Sequence, residues 1–300
     1  MTQAPVPAAN GPPEDAGGAL AGAVTRLGGD LRAWSLAFSF LVDCIVPRGA
    51  EVGVATISTL LAAFGVDDGV TRTSMSRLAS DGWVTRRKVG RNSFYALTPA
   101  AHAASEAASR RIYAAGNPDS PCGWRIVYAA GLARRDQTRL RAEFARRGAA
   151  ELAQQTYLLP DGDDIPDAPG AIALRTAPLL EAEARRLVAR AFDLAALGED
   201  YANFVAVFTP VRKSLEAGGG LSGLDALAVR VFLIHAFRRI VLRDPMIPAP
   251  YLPDSWPGFA ARRTTAAIWR AVLRPSEAWL DANAASAYGP LPPWSGGRRF

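Results

Sequence analysis

Residues 69–98 read GVTRTSMSRLASDGWVTRRKVGRNSFYALT. Six basic side chains lie between Arg72 and Arg91, against the single acid Asp81. Short hydroxyl residues are scattered among them. At about 100° per residue on a helix, Val70, Ser74 and Leu78 fall on one side, with Met75 at its edge. Arg72, Ser76 and Ser80 fall opposite, flanked by Thr73 and Arg77. The spacing therefore predicts a buried row of Val70, Ser74 and Leu78 and an exposed face of Arg72, Thr73, Ser76 and Arg77. An arginine can hold guanine O6 and N7 together, while Ser and Thr contact bases or phosphates without blocking entry into a groove. A solvated helix face ordinarily mixes Glu with Lys, and this one has neither.

The next segments, WVTRRKV and NSFYALT, are rich in aromatic and branched residues, as strands are, and Gly90 lies between them. They predict a hairpin whose tip is bracketed by Arg86, Arg87, Lys88 and Arg91, with Asn92 and Ser93 as uncharged donors. Trp83, Phe94 and Tyr95 are expected to anchor it to the core. Such a hairpin beside a recognition helix can follow phosphates or the minor groove. Six neutralised phosphates would make log K fall with log salt at a slope of about −5.

These groups need a scaffold. DLRAWSLAFSFLVDCIVP, residues 30–47, has apolar residues at mixed three- and four-residue steps, the mark of an amphipathic helix. Asp30 is a candidate cap, and Pro47 with Gly49 a stop. EVGVATISTLLAAFG predicts a second helix closed by Gly65. The third begins at Asp67 or Asp68 and ends at Asp81-Gly82. Helix, helix, helix, hairpin is the layout of a winged helix-turn-helix, expected over 29–116 together with a connecting helix, PAAHAASEAASRRIYAAG. Residues 117–195 alternate strand-like and helix-like segments and predict a ferredoxin-like α+β domain. Residues 196–285 predict a C-terminal helical domain. The class is thus α+β, mainly helical. Residues 1–28, rich in Ala, Gly and Pro, are expected to be a disordered tail, and 286–300 a loose one.

Composition sets wider limits. Of 300 residues, 49% are hydrophobic and 21% charged, so a sizeable core is possible. The net charge is +6, and Lys88 and Lys213 are the only lysines. An arginine-rich chain can reflect base composition, so the distribution of charge carries more weight than its sum. Cys44 and Cys122 fit no metal or redox spacing. No apolar run is long enough for a membrane span, and no secretory signal pattern opens the chain. A cytoplasmic location is expected.

Across most of its length the chain resembles the PaaX family, bacterial repressors of phenylacetic acid catabolism. The resemblance rests on RAWSL, Asp43 and VPRG, then RTSMSRLASDGWVTRRKVGRNSFYALT and RRIYAAG, then GWRIV, and finally FRRIVLRDPMIPAPYLPDSWPGFAAR. It implies an N-terminal winged helix, a middle ferredoxin-like (Cas2-like) domain and a C-terminal helical domain. It also implies a homodimer on double-stranded DNA, with half-sites about 34 Å or a multiple apart. Release would come from an acyl-CoA effector such as phenylacetyl-CoA, with no other cofactor.

The cluster Arg238, Arg239 and Arg243 ends an amphipathic segment. Cations there complement a helix dipole, and they also suit the phosphates of CoA. With Trp256 they are the candidate effector site. Enzyme chemistry is thinly represented. His102 and His235 stand in separate segments, and AGGGLSG lacks the strand-then-helix setting of a dinucleotide loop. Neither a catalytic nor a metal site is expected. The alternative is a metal-dependent nuclease using Asp161, Asp163 and Asp164, or a CoA-thioester enzyme.

Overall fold

A computed structural model describes residues 16–27, 31–49, 51–120, 122–161, 169–295 and 299–300. Helix α1 (Ala16–Leu27) precedes α2 (Ala33–Phe40), which runs on through a π turn at Leu41–Ile45 and a 3-10 turn at Val46–Arg48. Gly49 ends this run in the left-handed conformation, φ 61°. The expected cap Asp30 lies outside the described residues. Strand β1 (Val52–Gly53), α3 (Val54–Ala62) and α4 (Asp68–Ser80) follow. Asp67 caps α4, its carboxylate accepting from Val70 N at 2.8 Å. Gly82, at φ 76°, turns the chain out of α4. Strands β2 (Val84–Val89) and β3 (Asn92–Leu97) pair from Val84↔Leu97 to Val89↔Asn92, and the sheet order is β1-β3-β2. Three helices and a hairpin thus close into a winged unit. The two-residue β1, too short to carry an alternation signal, supplies its third strand.

Helix α5 (Pro99–Ile112) leads to β4 (Trp124–Tyr128), α6 (Arg134–Arg146), β5 (Ala150–Ala153), β6 (Thr156–Pro160), β7 (Ile172–Arg175) and α7 (Glu181–Ala191). The strands form an antiparallel sheet in the order β5-β6-β4-β7. That is the order and direction of a ferredoxin-like sheet, with one difference. The second helix follows the fourth strand instead of preceding it. Helix α6 covers one face, packing Leu140 and Phe144 on Val127, Tyr157 and Leu159. On the other face Trp124 and Leu158 join Ala184 and Val188 of α7 in the main core.

Helices α8 (Leu194–Glu216), α9 (Gly223–Val241) and α10 (Pro257–Asn283) complete the mixed α+β, mainly helical architecture, followed by the short hairpin β8 (Ala285–Ser286) and β9 (Gly289–Pro290). Every residue of α9 from Ala226 to Phe237 is buried, including Arg230 and His235. Both expected tails differ in part. In α1, Ala19, Leu20 and Ala23 are buried. Small side chains one turn apart let this helix lie closely on the core, which average composition does not reveal. At the other end, Phe300 packs edge-on against Tyr113 at 5.0 Å and Trp269 at 5.5 Å, and Ser295 N donates to the Pro47 carbonyl at 3.2 Å.

The winged unit is joined to the C-terminal helices through buried charge. Arg230 of α9 donates through Nε to Asp43 Oδ2 at 2.6 Å and through Nη2 to the Asp43 carbonyl at 3.0 Å. It also pairs with Glu277 of α10. Arg48 reaches the same Glu277, Nε to Oε2 at 3.1 Å, and Asp281 at 2.8 Å. Tyr113 donates its hydroxyl to Asp43, and Arg299 lies 3.3 Å from the carboxylate. Burial would raise the Asp43 carboxyl, but Arg230, Arg299 and the Tyr113 hydrogen bond hold it below the usual carboxylate range. Three guanidiniums surround two buried carboxylates, Asp43 and Glu277, with Asp281 at the exposed rim, so each buried charge has the partners burial demands.

Removing one member leaves the others uncompensated. Asp43→Asn is expected to lower the unfolding free energy by about 3–5 kcal/mol, measured by urea denaturation. Asp281→Asn, at the exposed rim, is expected to cost under about 1 kcal/mol. Burial, then Arg238 and Arg239, push the His235 imidazole down to about 3. The unfolded chain takes up a proton near pH 6.5 that the folded chain refuses. His235 therefore supports stability fully above pH 6.5, and that support is lost as pH falls toward 3. The expected loss is on the order of 1.4 kcal/mol per pH unit between pH 6 and 4. Replacing His235 by Gln should flatten this slope in denaturation midpoints; an unchanged slope would assign it elsewhere.

Candidate nucleic-acid interface

Helix α4 lies across the winged unit with Thr71, Met75 and Leu78 buried. Arg72, Thr73, Ser76 and Arg77 are all exposed on the opposite side. The expected buried row of Val70, Ser74 and Leu78 is corrected by one position, for Val70 is 47% exposed and Thr71 fully buried. The reason is local. The Thr71 hydroxyl donates to the Asp67 carbonyl at 3.1 Å, so a polar side chain sits inside at little cost. Apolarity alone points to the neighbouring valine instead.

The exposed face is not free of acids. Arg72 Nε pairs with Asp68 Oδ2 at 2.7 Å, and the other oxygen of Asp68 accepts from Ser58 Oγ at 2.6 Å. Those hydrogen bonds, from Ser58 first and then Arg72, hold the Asp68 carboxyl below its ordinary range. Arg77 lies 3.7 Å from Asp81. Such exposed pairs are weak. They hold the guanidiniums in place over α4 and can yield to a phosphate or a base.

The hairpin separates its cations onto two faces. Side chains alternate along a strand, so Arg86 and Lys88 share the side on which Val84 and Tyr95 enter the core. Arg87 is on the other side, paired with Glu51 at 3.1 Å and lying 4.9 Å from the Tyr288 ring centroid. Arg91 and Asn92 are exposed at the tip. Ser93 is buried, and its hydroxyl accepts from Arg86 Nε at 3.1 Å and Nη2 at 2.9 Å. It positions Arg86 rather than offering a free donor. Phe94 and Tyr95 are buried as expected, whereas Trp83 is 42% exposed and meets Phe38 edge-on at 5.4 Å.

Three of the candidate effector residues do come together. Arg238, Arg239 and Arg243 line a groove of about 730 Å³ between α5, α6 and α9, with Arg111, Arg146 and Arg147. The last three were missed because α5 and α6 approach α9 only in the folded chain. A Cβ at Gly148, φ 73°, would meet the Arg243 carbonyl at 2.0 Å. Glycine there lets the end of α6 close on the end of α9. Trp256 stands apart, buried against Tyr201 at 5.9 Å.

The remaining candidates have structural surroundings. Asp161 is paired with Arg125 at 3.2 Å and Arg175 at 3.5 Å, while Asp163 and Asp164 lie outside the described residues. His102 is exposed, 3.8 Å from Glu106. Among the described residues no group of three His, Cys, Asp or Glu could hold a metal ion, and no helix is long and apolar enough to cross a membrane.

The three helices and the hairpin define the class: a protein with an N-terminal winged helix-turn-helix unit. Two family models extend this to the particular family. Residues 32–101 match the PaaX-like protein model and residues 192–282 the PaaX-like protein C-terminal domain. The chain belongs to the PaaX-like family. It is 28% identical over 274 residues to the transcriptional repressor PaaX of Escherichia coli (strain K12), covering 86% of each chain. An uncharacterised protein from Mycobacterium tuberculosis shares the fold at a TM-score of 0.55 and 20% identity, over 83% of this chain and 99% of that one.

The helical phase is directly testable. Met75→Ala is expected to cost about 2–5 kcal/mol of stability. Val70→Ala should stay within about 0.5 kcal/mol. Equal losses in a denaturation series would restore the phase read from the sequence.

Proposed function

We propose that this protein is a cytoplasmic transcriptional repressor that binds double-stranded DNA as a homodimer and is released by an acyl-CoA effector such as phenylacetyl-CoA. The observation that carries the DNA reading is the exposed face of Arg72, Thr73, Ser76 and Arg77 beside a basic hairpin, in a chain whose curated relative is named a transcriptional repressor. In this reading α4 enters the major groove and the four side chains meet base edges and phosphates. Arg86, Lys88, Arg91 and Asn92 follow the backbone beside it. Arg87, engaged by Glu51 and Tyr288, contributes less. The CoA part of the reading is supported by the family and by the arginine-lined groove.

The test is fluorescence anisotropy with the duplex upstream of the protein's own coding sequence. Arg72→Ala should weaken specific binding by about 1–3 kcal/mol, a loss of roughly 5- to 150-fold. Lys88→Ala should weaken all duplexes alike and reduce the homodimer's salt slope by about two, one for each protomer. With five available cations in each protomer, the homodimer's slope should be about −9. If Arg72→Ala binds the operator as tightly as the parent, α4 is not the reading helix.

A further inference from the structure

The groove between α5, α6 and α9 carries more positive charge than its surroundings balance. Six arginines line it against one carboxylate, Glu143. Arg147 lies 3.7 Å from Glu143, and Arg243 is held 2.7 Å from Asp200. Arg146, Arg238 and Arg239 have no carboxylate partner among the described residues. Arg146, Arg238 and Arg239 each stand in the last turn of a helix and complement its dipole, but clustered cations without counter-charge repel one another. The remaining walls are apolar and small, with Ala104, Ala107 and Ala108 of α5 and Leu242 after α9.

Arg238 is the unusual member. Its Nη2 donates to Ser35 Oγ at 2.7 Å and to the Ser35 carbonyl at 3.3 Å, and its guanidinium lies 5.8 Å from the Phe38 ring. Ser35 and Phe38 both belong to α2, the first helix of the winged unit. The buried Nε of Arg238 has no partner. Burial, with Arg239 adjacent, pushes its pKa down to about 10, as befits a cation lacking a counter-ion. One side chain thus faces the groove while gripping the winged unit. Helix α5, which follows directly from the hairpin strand β3, forms the opposite wall.

We propose that this groove binds a small molecule bearing two or more phosphate groups, and that the bound phosphates draw Arg238 away from Ser35 and so loosen the hold of α9 on the winged unit. Planar guanidinium forks match phosphate oxygens two at a time. Phosphates between the three walls would supply the missing counter-charge and offer Arg238 a stronger acceptor than a serine. The alanine wall would accept an apolar or flat portion of the same molecule. Because the ligand favours the arrangement in which Arg238 is released, it shifts the population away from the arrangement in which the winged unit is clasped. The coupling is reciprocal, so DNA must weaken the ligand to the same degree. The proposal places the effector of the repressor reading and gives its route to the DNA face, and it rests on that reading for the second step.

Isothermal titration calorimetry on the full chain tests the first step without DNA. Coenzyme A, pyrophosphate and inorganic phosphate are the probes. Coenzyme A or pyrophosphate should bind at one site per chain, and at least tenfold more weakly to Arg239→Ala and Arg146→Ala, two variants at solvent-facing positions. Pyrophosphate matching coenzyme A would identify the phosphates alone as the ligand chemistry; tighter coenzyme A would add the nucleotide and its arm. Unchanged affinity in both variants overturns the site. Ser35→Ala tests the second step: it removes the better acceptor of Arg238, so the coenzyme A affinity should rise severalfold, while a fall or no change overturns the clasp. Operator anisotropy then separates the two readings. If the parent chain fails to bind its upstream duplex, the repressor reading fails while calorimetry still judges the groove. If Arg239→Ala loses operator affinity as severely as Arg72→Ala without any ligand, the groove is a DNA surface and the proposal is wrong.

Discussion

The buried guanidinium of Arg230 is the constraint around which the other parts are arranged. An unpaired cation in that position would be prohibitively costly, so Asp43 and Glu277 must both be brought to it. Asp43 arrives on the π turn that ends the first helix of the winged unit, and Glu277 on the last long helix. Satisfying one arginine therefore fixes the N-terminal unit against two C-terminal helices. Arg48, Tyr113 and Arg299 bring the end of that first helix, the end of α5 and the chain's last described residues to the same cluster. Polar geometry of this kind tolerates little sliding, whereas a purely apolar contact would.

Around that anchor the winged unit shares the apolar core with α9, and two polar attachments add to it. One is Arg238 on Ser35; the other is the β8–β9 hairpin, whose Tyr288 receives Arg87. The Arg87 contact is exposed and can exchange partners at small cost, whereas the Arg238 contact is partly buried. The structure therefore combines a buried charge anchor with polar contacts at its margins. The cations on α4 and the hairpin are held by weak partners as well. Asp68 and Asp81 hold Arg72 and Arg77 loosely, and Ser93 steadies Arg86.

Much of this was legible from residue order. The three helices, the hairpin and the glycine stops at Gly65 and Gly82 follow from local periodicity and from backbone conformations that glycine adopts at no cost. The arginine and hydroxyl face of α4 was likewise visible from spacing. What escaped has a common cause. Val70 and Thr71 exchange places because a single hydrogen bond to Asp67 makes a threonine acceptable inside. Ser93 and Arg87 leave the free surface because each finds a partner, Arg86 across the strands for the first and Tyr288 some two hundred residues away for the second. Helix α1 was hidden by an Ala- and Gly-rich composition that looks structureless without the α8 surface it covers.

By itself the sequence determined the elements, the winged layout, the basic outer face of α4 and, through its matched segments, the family. Those are properties of neighbouring residues, set by side-chain periodicity and backbone preference. Only the tertiary structure decided which cations are free, which carboxylates they meet and where six arginines from three helices converge on one groove. Pairing and burial of charge depend on distances between residues far apart in the chain, and no local pattern encodes those distances.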